Sequence, residues 1–261
     1  MGLPTDGPAD SEPRRTLKTT ERSLEVLEFV MELDGGGVTQ VAEGLGMSPS
    51  TAHGHLATLK RAEYLVQRGD QYHVSWTFLR YADFLTRQQE YQIATNYVEQ
   101  LVQQTQCRTN FIVEEHGRGV YVQNNPGEQR TWEHSSQGNR EYLHLIAAGK
   151  AILAALPDER VEQIIDKWGL AAKTPNTITD RDALLDELET IREQGFARND
   201  EEMISGIRSV GGAVTDENDQ VIGALSVGGP ADRLTGEFWE EELPTIIRAT
   251  TTEFEFDIRL S

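Results

Sequence analysis

The chain has 261 residues, 38% of them hydrophobic and 26% charged, with 24 Lys and Arg against 43 Asp and Glu for a net charge of -19. This is the composition of a soluble globular protein long enough for two cores, and it excludes a disordered chain. No apolar run approaches the roughly 18 residues of a membrane-spanning helix, and the single cysteine, Cys107, excludes an intrachain disulfide framework or a cysteine-based zinc site.

An acidic balance argues at first against nucleic acid, because phosphates reward Lys and Arg. Residues 1–90, however, hold 9 basic and 13 acidic side chains, a net of -4, so most of the acidity falls on the remainder. The 19 Arg, 5 Lys and 43 acids also match proteins that dense carboxylates keep soluble in concentrated salt. At ~1 M salt charges are screened over about 3 Å, so a DNA reader there depends more on close fit than on counterion release.

Residues 1–18 are polar, carry Pro4, Pro8 and Pro13, and read as a flexible arm of a cytoplasmic protein. From Thr20 to Leu33, Leu24, Leu27, Val30 and Met31 recur at helical spacing and are expected to face inward; Asp34 and the run Gly35-Gly36-Gly37 stop this helix. Thr39 is the expected cap of a short second helix, with Val41, Ala42 and Leu45 inward and Gly46 in the turn that follows. Ser48 caps a third helix whose first position is Pro49, where a missing N–H does no harm. Ala42, Gly46 and Ala52 stand at helix-turn-helix spacing.

On the third helix Ala52, Leu56 and Leu59 share one side, which leaves Ser50, His53, Gly54, Ala57 and Arg61 on the other. An inert solvent face would be rich in Glu and Lys, and a mid-helix glycine costs about 1 kcal/mol relative to alanine. A small, polar stripe fits a helix that a duplex must approach closely. Residues 64–68 and 71–75, joined by Gly69-Asp70, read as a hairpin wing with Arg68 near its tip as a phosphate contact. Trp76, Phe78, Leu79, Ala82 and Leu85 form an apolar stripe on a linking helix over residues 76–90, a packing surface for a second subunit.

Beyond residue 90, Ile93, Tyr97, Val98, Leu101 and Val102 mark a helix, and residues 111–113 and 120–122 a hairpin. Helices are expected at 145–156, 158–168 and 180–194, then strands at 209–214 and 221–227. Gly149-Lys150 lacks the glycine and the hydroxyl residue of a phosphate-binding loop, and Ser209 and Ser226 sit one residue off a hydrolase elbow. No enzyme, cofactor or metal site is therefore expected, and Lys150 is read as anchoring a carboxylate or a helix end.

These residues resemble the IclR family of transcriptional regulators. The resemblance is carried by Arg22 to Leu27, Gly46 to His53, Leu59 and Tyr64-Leu65 in the first part, and by His144, Ala147 to Ala154, Ile191 to Phe196, Asp200 to Glu202, Gly206 to Arg208 and Ala224 to Pro230 in the second. It implies a mixed α/β, two-domain chain: a winged helix-turn-helix (19–75), a linker (76–90), and a C-terminal α+β domain similar to the GAF fold that binds an effector (91–261). It also implies a homodimer or dimer of dimers on double-stranded operator DNA, with no membrane partner.

The expected DNA contacts are Thr39, Gln40, Ser48, Ser50, Thr51, His53, Gly54, Ala57, Lys60, Arg61 and Arg68. By the resemblance, a small organic acid or aromatic effector meets Ala147, Ala148, Asn199, Ile207, Ser209, Ser226 and Gly228, with the free N–H groups of a helix N-terminus receiving a carboxylate. The family commonly has a basic residue at Pro49, an arginine at Gly54 and a turn glycine at Glu63, so arginine-to-guanine readout is not available at the first two places. The alternative reading is a constitutive DNA-binding regulator whose second domain only mediates oligomerisation.

Overall fold

The computed structural model describes residues 16–128 and 136–260, which fall into two compact units meeting in sequence at Arg87/Gln88. Most of the expected N-terminal arm lies outside the described residues.

In the first unit α1 (Lys18–Glu32), α2 (Val38–Gly44) and α3 (Pro49–Arg61) precede a two-stranded hairpin, β1 (Leu65–Arg68) and β2 (Gln71–Val74), and then α4 (Phe78–Thr86). Val26, Val30, Val41, Ala42, Ala52, Leu56, Leu59, Leu65 and Tyr72 form its core. The inward face of α1 runs through Val26 and Val30, whereas Leu24 is 46% and Met31 63% exposed. Val30 and the partly buried Leu27 face the core as expected, but Leu24 and Met31 do not; Val26 and Phe29 complete the inward face instead. Asp34 and Gly35 have positive φ, and Gly36 then pairs with Tyr72 as a third strand-like segment beside the hairpin.

Two caps differ in outcome. Ser48 Oγ accepts the Thr51 N–H at 3.1 Å with Pro49 at the first helical position, as its residue types dictate. Thr39 does not cap α2; Gly37 does, and Gln40 Oε1 reaches back to accept the Gly37 N–H at 3.0 Å. The linking helix ends at Thr86, and α5 (Gln89–Thr105) begins with Gln88 in extended backbone, so the sequence boundary at residue 90 falls inside α5.

The second unit is built on a six-stranded antiparallel sheet in the order β5-β4-β3-β8-β7-β6. Its strands are β3 (Arg108–Glu115), β4 (Arg118–Asn125), β5 (Arg140–Tyr142), β6 (Ala197–Asp200), β7 (Ile207–Thr215) and β8 (Val221–Pro230). Alternation along each strand divides the faces. Ile112 and Ala224 point toward α6 (Ala147–Ala155), α7 (Asp158–Trp168) and α8 (Arg181–Gln194), whereas Phe111 and Leu225 point toward α5 and α9 (Leu243–Leu260). Burying roughly 20 apolar side chains per face is the main driving force for this layer order. The short strands β5 and β6 and the whole of α9 went unread in the sequence; three or four residues give too little alternation to detect.

The close approach of α6 to the sheet is set by glycine. A Cβ on Gly211 would lie 2.6 Å from the Ala148 N, and one on Gly149 would strike the backbone of Leu143. Only bare backbone allows the first turn of α6 to rest on β7.

Candidate functional site

On α3, Ser50, Thr51, His53, Gly54 and Arg61 are exposed and Ala57 half-buried, while Ala52, Leu56 and Leu59 are buried. The stripe from 50 through 53, 54 and 57 to 61 lies along one side of a 13-residue helix. A Cβ on Gly54 would meet nothing within 4 Å. The glycine is therefore not required by packing within this unit. At the C-terminal end of α3, Lys60 Nζ donates to Gln67 Oε1 on β1 at 2.8 Å, tying the helix to the hairpin. Arg68 is exposed beside the Gly69-Asp70 turn, and Thr39 and Gln40 are exposed on α2. The Ser48 and Thr51 hydroxyls lie 2.8 Å apart in the cap of α3. Ser23 Oγ meets His55 Nδ1 at 2.8 Å, which fixes α3 against α1.

Glu63 closes the passage from α3 to the hairpin with φ of +67°, a left-handed conformation that glycine adopts without strain.

In the second unit a cavity of about 70 Å³ opens on the α6 side of the sheet. Ala147, Asn199, Ile207, Ser209, Ser226 and Gly228 line it. Ala148 does not: it is fully buried against Gly211, one position inside the first turn of α6. Strand register explains how distant residues meet. Arg108 pairs with Gly228, Gly228 with Ser209 and Ser209 with Asn199, which sets four side-chain positions in one row across β3, β8, β7 and β6. The next row holds Asn110, Ser226 and Gly211, and Gly211 is where α6 touches down.

Sequence reading missed three polar lining residues, Arg108, Asn110 and Tyr121, together with the apolar Ile112, Ile146, Met203 and Ile204. The three polar residues are buried, and burial lowers the Arg108 guanidinium and raises the Tyr121 phenol away from their ordinary values. The Asn110 Oδ1 has no hydrogen-bond partner among the described residues. A charged and two polar side chains on an apolar sheet face were a usable signal, since a strand turned wholly into a core would not carry them.

Asn199 is already committed to the fold. Its Nδ2 donates to the Leu145 carbonyl and its Oδ1 accepts the Glu202 N–H at 3.2 Å. It therefore holds the segment 201–206, whose Met203 and Ile204 also line the cavity. Lys150 does anchor a carboxylate: its Nζ donates to Glu202 Oε1 at 2.8 Å and Glu187 Oε1 at 3.0 Å. Ser209 and Ser226 lie within strands β7 and β8, with no strand-to-helix turn beside them. Cys107 is buried, and burial raises its thiol above the ordinary range. No helix among the described residues is long and apolar enough to cross a membrane.

Comparison with known proteins agrees with this architecture. The family model described as "IclR helix-turn-helix domain" matches residues 19–69, and that described as "Bacterial transcriptional regulator IclR C-terminal" matches residues 82–255. The chain is 30% identical over 243 residues, 91% of its own length and 92% of the relative's, to "Probable HTH-type transcriptional regulator ArcR" of Halobacterium salinarum. It is 27% identical to the acetate operon repressor of Salmonella typhimurium, covering 89% of this chain and 87% of the repressor. Among solved structures, the IclR protein of Thermotoga maritima matches with a TM-score of 0.76 at 28% identity, covering 92% of this chain and 98% of that one.

Proposed function

The chain belongs to the IclR family of transcriptional regulators, DNA-binding proteins rather than enzymes, and on that premise we propose that it is a sequence-specific regulator of metabolic genes controlled by a small acid effector. The observation that carries the DNA half is the α3 stripe of Ser50, His53, Gly54 and Ala57. Its side chains are short, and the exposed glycine has no packing role in its own unit. A helix with such a face can enter a major groove closely, with His53 and Ser50 at base edges. Thr39, Gln40, Ser48, Thr51, Lys60, Arg61 and Arg68 then surround it as backbone contacts, which position the protein without reading sequence.

The effector half rests on the cavity beneath the N-terminus of α6. Ala147 presents backbone N–H groups and the positive end of the helix dipole, and Ser209 and Ser226 supply hydroxyls from the sheet. The described lining residues include no Asp or Glu. A carboxylate is the group such a site receives best.

Mobility-shift titration of the full chain on DNA upstream of its own gene, from dilute to molar salt, tests the first half. The His53→Ala variant should weaken specific binding more than non-specific binding, and Arg68→Ala should weaken both alike. Absence of any shift across that salt range refutes the DNA reading. Thermal-shift screening with organic acids tests the second half, since a ligand at about 100 times its dissociation constant stabilises the fold by about 2.7 kcal/mol. A flat screen leaves a constitutive regulator whose second domain serves assembly.

A further inference from the structure

The N-terminus of a helix borders the cavity at one end, and an arginine lines it at the other. At one, Gly211 brings the first turn of α6 onto the sheet and Ala147 lines the wall. At the other, Arg108 lies on the row of Gly228 and Ser209, two residues along β3 from the Asn110 row that adjoins α6. Two residues of strand span about 6.7 Å. Asn110, 8% exposed, stands on the row at the α6 end and lines the same space, and its Oδ1 has no partner among the described residues. A buried acceptor left this way is unfavourable, and a ligand donor satisfies it.

We propose that the effector is a compact dicarboxylic acid carrying a hydroxyl or ammonium donor, with one carboxylate at the N-terminus of α6, the second against Arg108, and the donor on Asn110. Arg108 is then the residue that determines specificity. The proposal rests on the effector reading of this cavity and deepens it. Size supports it: a cavity of about 70 Å³ has room for roughly five to seven water-sized groups, which covalently bonded atoms fill more densely. That is the scale of a diacid of about four carbons rather than of a sugar acid. Guanidinium recognises carboxylate as a planar fork, so Arg108 distinguishes a second acid group from a methyl end by a charge-assisted pair rather than by shape.

The test is calorimetric titration of the full chain, at one fixed salt concentration, with butanoate, succinate and malate. Malate should bind tightest, and succinate at least about ten-fold more tightly than butanoate. In Arg108→Gln that preference should shrink to about two-fold, while Arg108→Lys, which keeps the charge but not the fork, should retain part of it. Butanoate binding as well as succinate in the unaltered protein overturns the proposal, as does a diacid preference that persists in Arg108→Gln. If a variant does not fold, the ranking of the three acids on the unaltered protein decides. Binding of butanoate without diacid preference refutes the role of Arg108 alone; binding of none of the three by the folded protein refutes the effector reading with it.

Discussion

The Lys150 ammonium lies 2.8 Å from a Glu202 carboxylate oxygen, and both side chains are buried. The pair joins the middle of α6 to the segment that carries Met203 and Ile204 over the cavity. Further bonds hold that segment: the Glu202 N–H donates to Asn199, the Thr177 hydroxyl donates to the Glu202 carbonyl at 2.6 Å, and the Thr174 hydroxyl donates to the Glu201 carbonyl at 2.7 Å. Burial raises the Glu202 carboxyl above its ordinary range, with Lys150 opposing the shift.

A buried ion pair is weak evidence of stability, but breaking one is costly because the remaining charge stays buried. We expect Lys150→Met to destabilise the second unit by about 3–5 kcal/mol, and Lys150→Met with Glu202→Leu to recover most of that loss. Urea unfolding of the single and double variants measures it. A double variant as unstable as the single one would mean that the pair is needed for more than mutual compensation.

Gly54 allows folding to be tested apart from the proposed reading of DNA. Because a Cβ there meets nothing within 4 Å, Gly54→Ala should raise thermal stability, by up to about 1 kcal/mol for an exposed helix interior. The same variant should weaken operator binding if this face lies against a duplex. A more stable protein with unaltered DNA affinity would remove Gly54 from the reading surface.

Glu63 is exposed and holds φ at +67°. For a residue with a Cβ this conformation costs roughly 1–2 kcal/mol, so Glu63→Gly should stabilise the first unit by about 1 kcal/mol after the added chain entropy of glycine. Chemical denaturation checks this, and a loss of stability would show that the Glu63 side chain contributes a contact worth more than the strain.

His144 is buried, and burial lowers its imidazole pKa below the ordinary value, against a hydrogen bond to the Ala171 carbonyl at 3.1 Å. The unfolded chain then binds a proton that the folded chain resists. The contribution of this residue to stability is complete above about pH 6.5 and declines as pH falls below it, by at most about 1.4 kcal/mol per pH unit. Stability measured between neutral and mildly acidic pH should show that slope, and His144→Gln should reduce it. An identical slope in the variant would assign the effect to other groups.

Parts of the fold were legible because their determinants are local. Gly35 to Gly37 stop α1, Ser48-Pro49 starts α3, and Gly69-Asp70 turns the hairpin, each through the dihedral preference of a few adjacent residues. The face of α1 was not legible in the same way. Leu24 and Val26 are both apolar, and only packing with the rest of the first unit's core decides that Val26 goes inside. Thr39 had the chemistry of a cap, yet the helix began two residues earlier, with Gly37 in the cap position and Gln40 Oε1 accepting the Gly37 N–H.

The sequence by itself determined the order of elements in the first unit, the capped third helix with its exposed glycine, and the two-part family architecture, because these depend on neighbours along the chain. The tertiary structure alone decided the chemistry of the cavity. Arg108, Gly228, Ser209 and Asn199 share a row only through the register of four strands, and Lys150 meets Glu202 across 52 positions. Ala148 is excluded from the lining because Gly211 lets the helix rest on the sheet at that point. Such contacts follow from hydrogen-bond pairing and close packing between distant segments, which no local periodicity encodes.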